Sequence, residues 1–158
     1  MASSVSTDLM ACRQKIEMYH HAPADAATEQ SVKSGASTTT WSDMRDYARF
    51  GVGAMSTVLT GNGLIELSIY AAEDDSGTNA TEIKTSGTIA ADAAGDWAFE
   101  ECTAEEIAHI GEENSYDLRY VAAYVDCYHN DDEVSVVYIR DGAKRAADAL
   151  TAATTISS

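Results

Sequence analysis

The amino-acid sequence predicts a mainly all-β protein, an antiparallel β-sandwich or jelly roll with one short helix and an extended N-terminal arm. Apolar and polar residues alternate in about seven or eight short runs, the period expected of strands that bury one face. Turn sequences separate these runs at intervals of about eight to twelve residues, which is typical of sandwiches. Apolar residues make up 45% of the 158 residues, so the chain can form a core despite its charge.

Residues 1–40 are predicted to form the arm, and the first strand lies within it near residues 14–21. Ile16 and Met18 fall on one side of that strand, because they alternate with Lys, Glu and Tyr residues. Residues 22–40 are rich in Ala, Ser, Thr and Gly and hold the chain's one proline. That composition indicates a long loop or a flexible arm.

Residues 41–140 are predicted to form the sandwich core, and its most regular part is an antiparallel hairpin over residues 48–72. The sequence Gly-Asn-Gly at 61–63 favours a tight turn, because Gly and Asn tolerate positive φ. Apolar residues alternate on both sides of that turn. Gly51 and Gly53 fall on the side of this strand opposite its apolar residues, where we expect a bulge or a close backbone approach.

The other strands of the core are predicted from shorter alternating runs. A turn at residues 74–79 precedes a weaker strand pair in 80–90, a short strand in 97–102 has Trp97 and Phe99 on one face, and a long strand in 117–129 pairs with 133–140. Residues 141–158 are predicted to form an irregular tail, because Ala, Thr and Ser dominate there.

One short helix is predicted after the strand in 97–102. Thr103 and Glu106 match a capping box, in which each side chain accepts a hydrogen bond from the other residue's backbone N–H. The helix is expected to end near Ile110, with Gly111 as its C-terminal stop.

The acidic balance of the chain excludes some classes of partner. It carries 26 acidic and 10 basic residues, for a net charge of −16. Such a chain repels the phosphates of nucleic acids and of anionic membranes, so we expect neither as a direct partner. A basic protein surface is the natural electrostatic complement, although many soluble proteins are acidic merely to stay dispersed. The apolar runs are also too short to span a membrane.

No catalytic, metal or cofactor motif is recognisable, so we expect a protein that is not an enzyme and has no cofactor. Cys12, Cys102 and Cys127 are odd in number and far apart, which fits neither a disulfide framework nor a zinc motif. The acidic turns at 74–79 and 129–133 lack the ligand spacing of a calcium-binding loop. No Ser or Cys has the sequence context of an activated nucleophile.

The aromatic residues are the sharpest candidates for a contact surface. Tyr120, Tyr124 and Tyr128 recur every four residues, so they share one face of one strand. Core filling is the commoner role of such residues, but tyrosine also favours protein interfaces. The predicted interface residues are Trp41, Tyr47, Tyr120, Tyr124, Tyr128, Lys144 and Arg145.

Three stretches of the sequence resemble small β-sandwich structural proteins of tailed-bacteriophage virions. They are Trp41-Ser42-Asp43-Met44-Arg45-Asp46-Tyr47 before a long strand, Ala71-Ala72-Glu73-Asp74-Asp75-Ser76-Gly77-Thr78-Asn79 after the next strand, and Arg119-Tyr120-Val121 on a late strand. The resemblance extends over residues 14–151. The first 40 residues are longer and more polar than in that family.

The resemblance implies a structural role, as a cement or decoration protein that binds the outside of the capsid lattice and stabilises the head. Its partners would be the major capsid protein or other virion proteins, with many copies on the lattice or a homo-oligomer. The chain would belong to the virion, assembled in the host cytoplasm, and would have no cofactor. Two interpretations stay open beside it: a tail or head–tail joining subunit, which would form a ring, and a carbohydrate-binding β-sandwich with exposed aromatic residues.

Overall fold

The fold is seen in a computed structural model, which describes residues 14–21, 30–31, 33–34, 38–58, 63–91, 95–127 and 131–142. Its strands are β1 (Lys15–His21), β2 (Gln30–Ser31), β3 (Lys33–Ser34), β4 (Thr38–Thr39), β5 (Ser42–Asp43), β6 (Arg49–Val58), β7 (Gly63–Ala72), β8 (Thr81–Ala91), β9 (Trp97–Thr103), β10 (Tyr120–Cys127) and β11 (Glu133–Asp141). One α-helix, α1 (Ala104–Asn114), lies between β9 and β10.

The long strands form two antiparallel sheets. Sheet A has the order β1-β11-β6-β9. Sheet B has the order β10-β7-β8, and both β2 and β5 pair with the free edge of β10. The short strands β3 and β4 pair only with each other.

The strand order is that of a jelly roll. The first long strand pairs with the last (β1 with β11), and the broken second strand (β2 and β5) pairs with the next to last (β10). The two inner pairs are β6 with β9 and β7 with β8. Four such nested antiparallel pairs, rolled so that alternate pairs share a sheet, make an eight-stranded jelly roll. The predicted fold class is therefore confirmed, and β1 belongs to the sandwich itself.

The core lies between the inner faces of the two sheets. Residues of β11 alternate between buried and half-buried positions along the whole strand, as expected of a strand with one face inside. Phe50, Val52 and Tyr138 from sheet A are fully buried, and so are Leu67 and Ile69 from sheet B. The ring centroids of Phe50 and Tyr138 lie 5.1 Å apart in an edge-to-face arrangement, which is a favourable geometry for aromatic rings.

Two predicted strand pairings are wrong. The predicted hairpin over residues 48–72 consists of β6 and β7, which lie in different sheets and pair with other strands. The same is true of β10 and β11, predicted as partners. In each case the chain crosses from one sheet to the other. Alternation of apolar and polar residues shows which side of a strand is buried. The buried side faces the other sheet across the sandwich, so the pattern does not tell which strand lies beside it in its own sheet.

The segment predicted as a strand pair in residues 80–90 is one strand, β8. Gly87 has a positive φ of 64°, and the pairing of β7 with β8 shifts register between Glu66 and Ser68. The glycine therefore accommodates a bulge inside a continuous strand, where the sequence suggested a break.

The capping box of the helix is confirmed, but the helix is longer than predicted. Glu106 N donates to Thr103 Oγ1 at 3.1 Å, and Thr103 N donates to Glu106 Oε2 at 2.7 Å. Gly111 lies inside α1, where a Cβ would stand 2.7 Å from the Tyr116 carbonyl oxygen. The left-handed residue that ends the helix is Ser115, with φ 63°. Gly111 thus serves close packing of the chain that follows the helix.

Candidate functional site

Two of the predicted interface tyrosines lie together on the outer face of sheet B. Tyr120 and Tyr124 point away from the core, and Tyr70 of β7 joins them from the neighbouring strand. The rings of Tyr70 and Tyr124 are 4.2 Å apart, and Trp41 stands edge-on to Tyr124 at 6.2 Å. These rings pack mainly on one another, so much of their surface is used within the molecule.

Of the remaining predicted interface residues, Tyr47 is buried and three others lie outside the described part of the chain. Tyr47 is only 8% exposed and belongs to the core cluster, where the Arg140 guanidinium lies 5.0 Å from the centre of its ring. That position leaves it little surface for a partner. Tyr128, Lys144 and Arg145 lie outside the described residues.

An exposed apolar surface lies instead on the outer face of sheet A. Met18 is 78% exposed, Trp97 67% and Ile16 59%, and Met55 and Phe99 are also exposed. The register aligns them in rows across the sheet. The rows are Ile16–Ile139–Gly51–Glu101, Met18–Val137–Gly53–Phe99 and His20–Ser135–Met55–Trp97. We call the set Ile16, Met18, Met55, Trp97, Phe99, Val137 and Ile139 the apolar face.

Two glycines keep the centre of the apolar face flat. A Cβ on Gly51 would stand 3.1 Å from Phe99 Cζ, and one on Gly53 would stand 3.2 Å from Val137 Cγ1. The Phe99 ring can therefore lie down over β6 because the strand has no side chains there. The sequence predicted a bulge or a close backbone approach at these glycines. The pairing of β6 shows no register shift there, and the closest atoms belong to side chains of the two neighbouring strands, Phe99 and Val137.

Charged residues on this side of sheet A stand at the ends of its strands or on its edge strand β9. Arg49 is opposite Asp141 at one end and Glu133 is at the other, while Glu101 ends the row that begins at Ile16. The centre of the apolar face carries no charged side chain among its aligned positions in the described strands. In a chain of net charge −16, contact through the centre of this face therefore requires the desolvation of few charges.

The sequence held part of the signal for this face. Trp97 and Phe99 were predicted to share a side of their strand, and Ile16 and Met18 to share a side of theirs. What alternation could not give is direction: β9 turns the small residues Ala98 and Cys102 into the core and the large rings outward. β1 likewise turns Tyr19 inward, where it packs against the core.

A second feature is a cleft of about 410 Å³ at the edge where β1 and β5 approach each other. We call it the edge cleft. It is lined by Lys15, Glu17 and Tyr19 from β1, Thr40 to Asp43 around β5, Asp75 from the turn after β7, Tyr120 from β10 and Arg140 from β11. Five segments distant in the sequence thus converge on one opening at the side of the sandwich.

Glu17 organises the polar wall of the edge cleft. Its carboxylate pairs with Lys15 Nζ at 2.8 Å and with Arg140 Nη2 at 2.8 Å, and it accepts a hydrogen bond from Ser42 Oγ at 3.2 Å. Burial opposes ionisation of Glu17, but the Lys15 hydrogen bond and the two positive charges outweigh it, so its pKa lies below the usual value. Arg140 Nη1 also donates to the Asp43 carbonyl oxygen at 2.9 Å, which ties β11 to β5.

A buried hydroxyl joins the two sheets just behind the cleft. Tyr138 OH accepts a hydrogen bond from Ala123 N at 2.7 Å and lies 2.8 Å from Thr40 Oγ1. Burial raises the pKa of Tyr138 far above its usual range. Burial, together with the Glu17 charge, raises the pKa of the neighbouring Tyr19 to about 12. Both phenols are neutral at physiological pH, as an ordinary tyrosine is, and their raised pKa values extend that state to more alkaline pH.

The acidic turn at residues 74–79 satisfies its own carboxylate. Asp74 Oδ1 accepts hydrogen bonds from Ser76 N and Thr78 N, each at 3.0 Å, and Thr78 Oγ1 donates to Asp74 Oδ2 at 2.6 Å. These bonds hold the pKa of Asp74 well below its usual range. Within the described residues, no group of three or more His, Cys, Asp or Glu side chains is placed to hold a metal ion.

No helix among the described residues is long and apolar enough to cross a membrane. No protein-family model matches the sequence, and no curated protein sequence matches it. Solved structures give weak likenesses. A pilus from Bacillus endospore appendages, described as disulfide-linked, is 14% identical with a TM-score of 0.35, over 81% of this chain and 86% of the pilus chain.

Two further solved structures show the same degree of likeness. The VP2 subviral particle of infectious bursal disease virus is 12% identical with a TM-score of 0.40, and a two-module xylanase of Clostridium thermocellum is 11% identical with a TM-score of 0.38. The alignments cover 85% and 87% of this chain but only 35% and 28% of those longer chains. At such scores these likenesses carry no information about what this chain binds.

Proposed function

We propose that this chain is a structural virion protein of a tailed bacteriophage, which binds the outside of the capsid lattice as a cement or decoration protein. The observation that carries the proposal is the apolar face, where Met18, Trp97 and Ile16 are exposed on a regular four-stranded sheet. A surface of this kind favours contact with another protein, because contact removes its apolar area from water.

The size of the apolar face fits a partner that is present in many copies. Adjacent strands lie about 4.8 Å apart and alternate residues of a strand about 7 Å apart, so four strands and three rows span roughly 14 by 14 Å. A standard interface takes about 800 Å² from each partner, several times that footprint. A single contact through this face is therefore weak, and binding becomes stable where a lattice presents many sites or where a second segment of the chain adds contacts.

The charge distribution supports a single docking orientation. The body of the protein is strongly acidic, whereas the centre of the apolar face has no charge. Acidic surfaces repel one another and repel packaged nucleic acid, so the acidic sides favour facing solvent. The apolar face is then the side that meets the capsid, and its partner surface is apolar and near neutral at the centre.

The proposal is tested on particles assembled with altered forms of this protein. A Met18→Asp variant places a charge in the middle row of the apolar face, on the edge strand β1, at a side chain that is already mostly exposed, so the fold is retained. We expect its occupancy on purified particles, measured by quantitative mass spectrometry, to fall at least about tenfold, since burying an unpaired charge costs well over 1.4 kcal/mol. The particles should also lose their heat tolerance.

The matched control is Ala80→Asp, which adds the same charge at an exposed turn away from the apolar face. It should leave occupancy unchanged. If particles without this protein tolerate heat as well as complete ones, the cement role is wrong. A closed ring of fixed subunit number in the isolated protein would favour the tail or head–tail joining role instead.

A further inference from the structure

Three half-buried aromatic residues, Tyr19, Trp41 and Tyr120, line the edge cleft. Two of them are held in place by contacts outside the opening. The Trp41 indole lies against Gly77, where a Cβ would stand 2.9 Å from Trp41 Nε1. Tyr120 OH accepts a hydrogen bond from Arg119 Nη2 at 3.1 Å. The cleft therefore offers pre-positioned aromatic surface beside polar groups.

The charges of the edge cleft disfavour most kinds of charged ligand. An anion such as a phosphate would meet the carboxylates of Glu17, Asp43 and Asp75, and a cation would meet Lys15 and Arg140. A purely apolar ligand would remove these groups from water without replacing their hydrogen bonds. What remains is a neutral ligand that carries many hydroxyl groups.

Several polar groups of the cleft can still bond to such a ligand. Asp75 is exposed and has no hydrogen-bond or ion-pair partner among the described residues, so both its oxygens can accept. One of the three N–H groups of the Lys15 ammonium donates to Glu17, and the other two can donate to a ligand. The Glu17 and Arg140 groups that form the back of the cleft are already fixed by each other at 2.8 Å, so a ligand would not have to order them.

We infer that the edge cleft is a binding site for a neutral saccharide of one or two sugar rings. Sugar rings have apolar C–H faces that pack on aromatic side chains and a rim of hydroxyls that both donate and accept hydrogen bonds. A volume of about 410 Å³ is at the small end of ligand sites, which fits a short saccharide. The inference does not depend on the apolar face or on the virion role.

The experiment begins with an array of immobilised neutral, acidic and amino saccharides, probed with the full chain. The tightest-binding neutral saccharide is then titrated into a Trp97→Phe variant, in which Trp41 is the single remaining tryptophan. We expect the Trp41 fluorescence to change on binding. Tyr120→Ala and Asp75→Ala should each weaken binding about tenfold, the loss of one good contact. Asp75 is exposed, so its variant tests the site without endangering the fold.

The control variant is Asp131→Ala, which removes an exposed carboxylate outside the cleft and should bind as the unchanged protein does. The inference is overturned if no neutral saccharide is retained on the array, or if only acidic ones are. It is also overturned if both cleft variants bind normally, or if Trp97→Ala abolishes binding, since the sugar would then lie on the apolar face. None of these results would alter capsid occupancy, so the two proposals fail separately.

Discussion

The outer faces of the two sheets differ, although their inner faces bury the same kinds of residue. On sheet B, Tyr70 and Tyr124 pack on each other with 4.2 Å between ring centres, and the small residues beneath are sealed, with Ala122 fully buried. On sheet A, Met18 and Trp97 stand largely in water. One sheet covers its outer surface with its own side chains, and the other leaves an apolar surface open.

This difference distinguishes the surfaces that stabilise the fold from a surface that does not. A jelly roll is stabilised by apolar burial between its sheets, which both inner faces provide. Solvent normally favours polar residues on the outer faces, and sheet B follows that rule with the exposed residues Glu82 and Thr85, which lie beside Tyr70 and Ser68 of β7. The apolar outer face of sheet A adds no comparable stability to the isolated fold. We therefore infer that its role lies in contact with a partner.

The largest effect expected separates the two sides of sheet A. Phe50→Ala removes a fully buried ring and should lower the free energy of unfolding by about 3–5 kcal/mol. Phe99→Ala removes a ring of the same size from the exposed side and should cost about 1 kcal/mol or less. Urea unfolding followed by circular dichroism measures both. Equal losses would mean that the outer face is part of the stabilising core.

A second pair of variants compares the outer faces directly. Tyr124→Ala on sheet B breaks the contacts with Tyr70 and Trp41 and should cost about 1–3 kcal/mol. Met18→Ala on sheet A should change stability by about 0.5 kcal/mol or less, because its side chain is mostly in water. Thermal unfolding of both proteins at one pH gives the difference. A Met18 effect as large as that of Tyr124 would remove the contrast between the sheets.

Sequence alone could predict the fold class and the buried sides of most strands, because alternation is a local property. Alternation places Phe50, Val52, Ala54, Ser56 and Val58 on one side of their strand. The structure buries the first four and leaves Val58 43% exposed. The sequence could not predict strand pairing. β6 and β7 have the alternation and the turn residues of a hairpin, yet each pairs within its own sheet. Which strand lies beside which depends on contacts between residues far apart in the chain.

The candidate sites show the same division. The tyrosines at 120 and 124 could be placed on one face from their spacing, but Tyr47 could not be recognised as buried. The edge cleft needs Lys15, Asp75 and Arg140 in one place, and no local pattern brings such distant residues together. Large outward side chains on β9 contradict the usual rule that the more apolar side faces the core, so no rule of composition would have found the apolar face.

The flatness of the apolar face can be tested at Gly51. The Cβ that Gly51→Ala adds would stand 3.1 Å from Phe99 Cζ, which is too close for two carbon atoms, so the ring must move. We expect a loss of about 1 kcal/mol. In a Phe99→Ala background the obstacle is gone, and the same change should be neutral or stabilising by about 0.5 kcal/mol, since alanine restricts the unfolded chain. A loss that persists without Phe99 would place the cause in the backbone.

β1, the strand that brings Ile16 and Met18 to the apolar face, is held in place by contacts of Glu17 that depend on pH. Glu17 ties β1 to β11 through Arg140 and to β5 through Ser42. Burial raises the pKa of Glu17, but the Lys15 hydrogen bond and the charges of Arg140 and Lys15 outweigh it, so its pKa in the folded state lies below the usual value. A lowered folded pKa contributes stability that is present above the unfolded value, about 4.5, and is lost as pH falls through the folded value. Neutral pH therefore favours a docked β1, and acid weakens it.

Replacement of this carboxylate should flatten part of the acid limb of the stability curve. Glu17→Gln keeps the shape of the side chain, and we expect a loss of about 1 kcal/mol near pH 7, modest because the group is partly exposed to solvent. The difference between the two proteins should shrink as pH falls below about 4.5 and through the lower folded pKa, where Glu17 itself becomes neutral. Glu101→Gln, an exposed carboxylate on the same sheet, is the matched control. A difference between the unchanged protein and Glu17→Gln that stayed constant from pH 7 to pH 3 would show that the hydrogen-bonding shape of Glu17, and not its charge, holds β1.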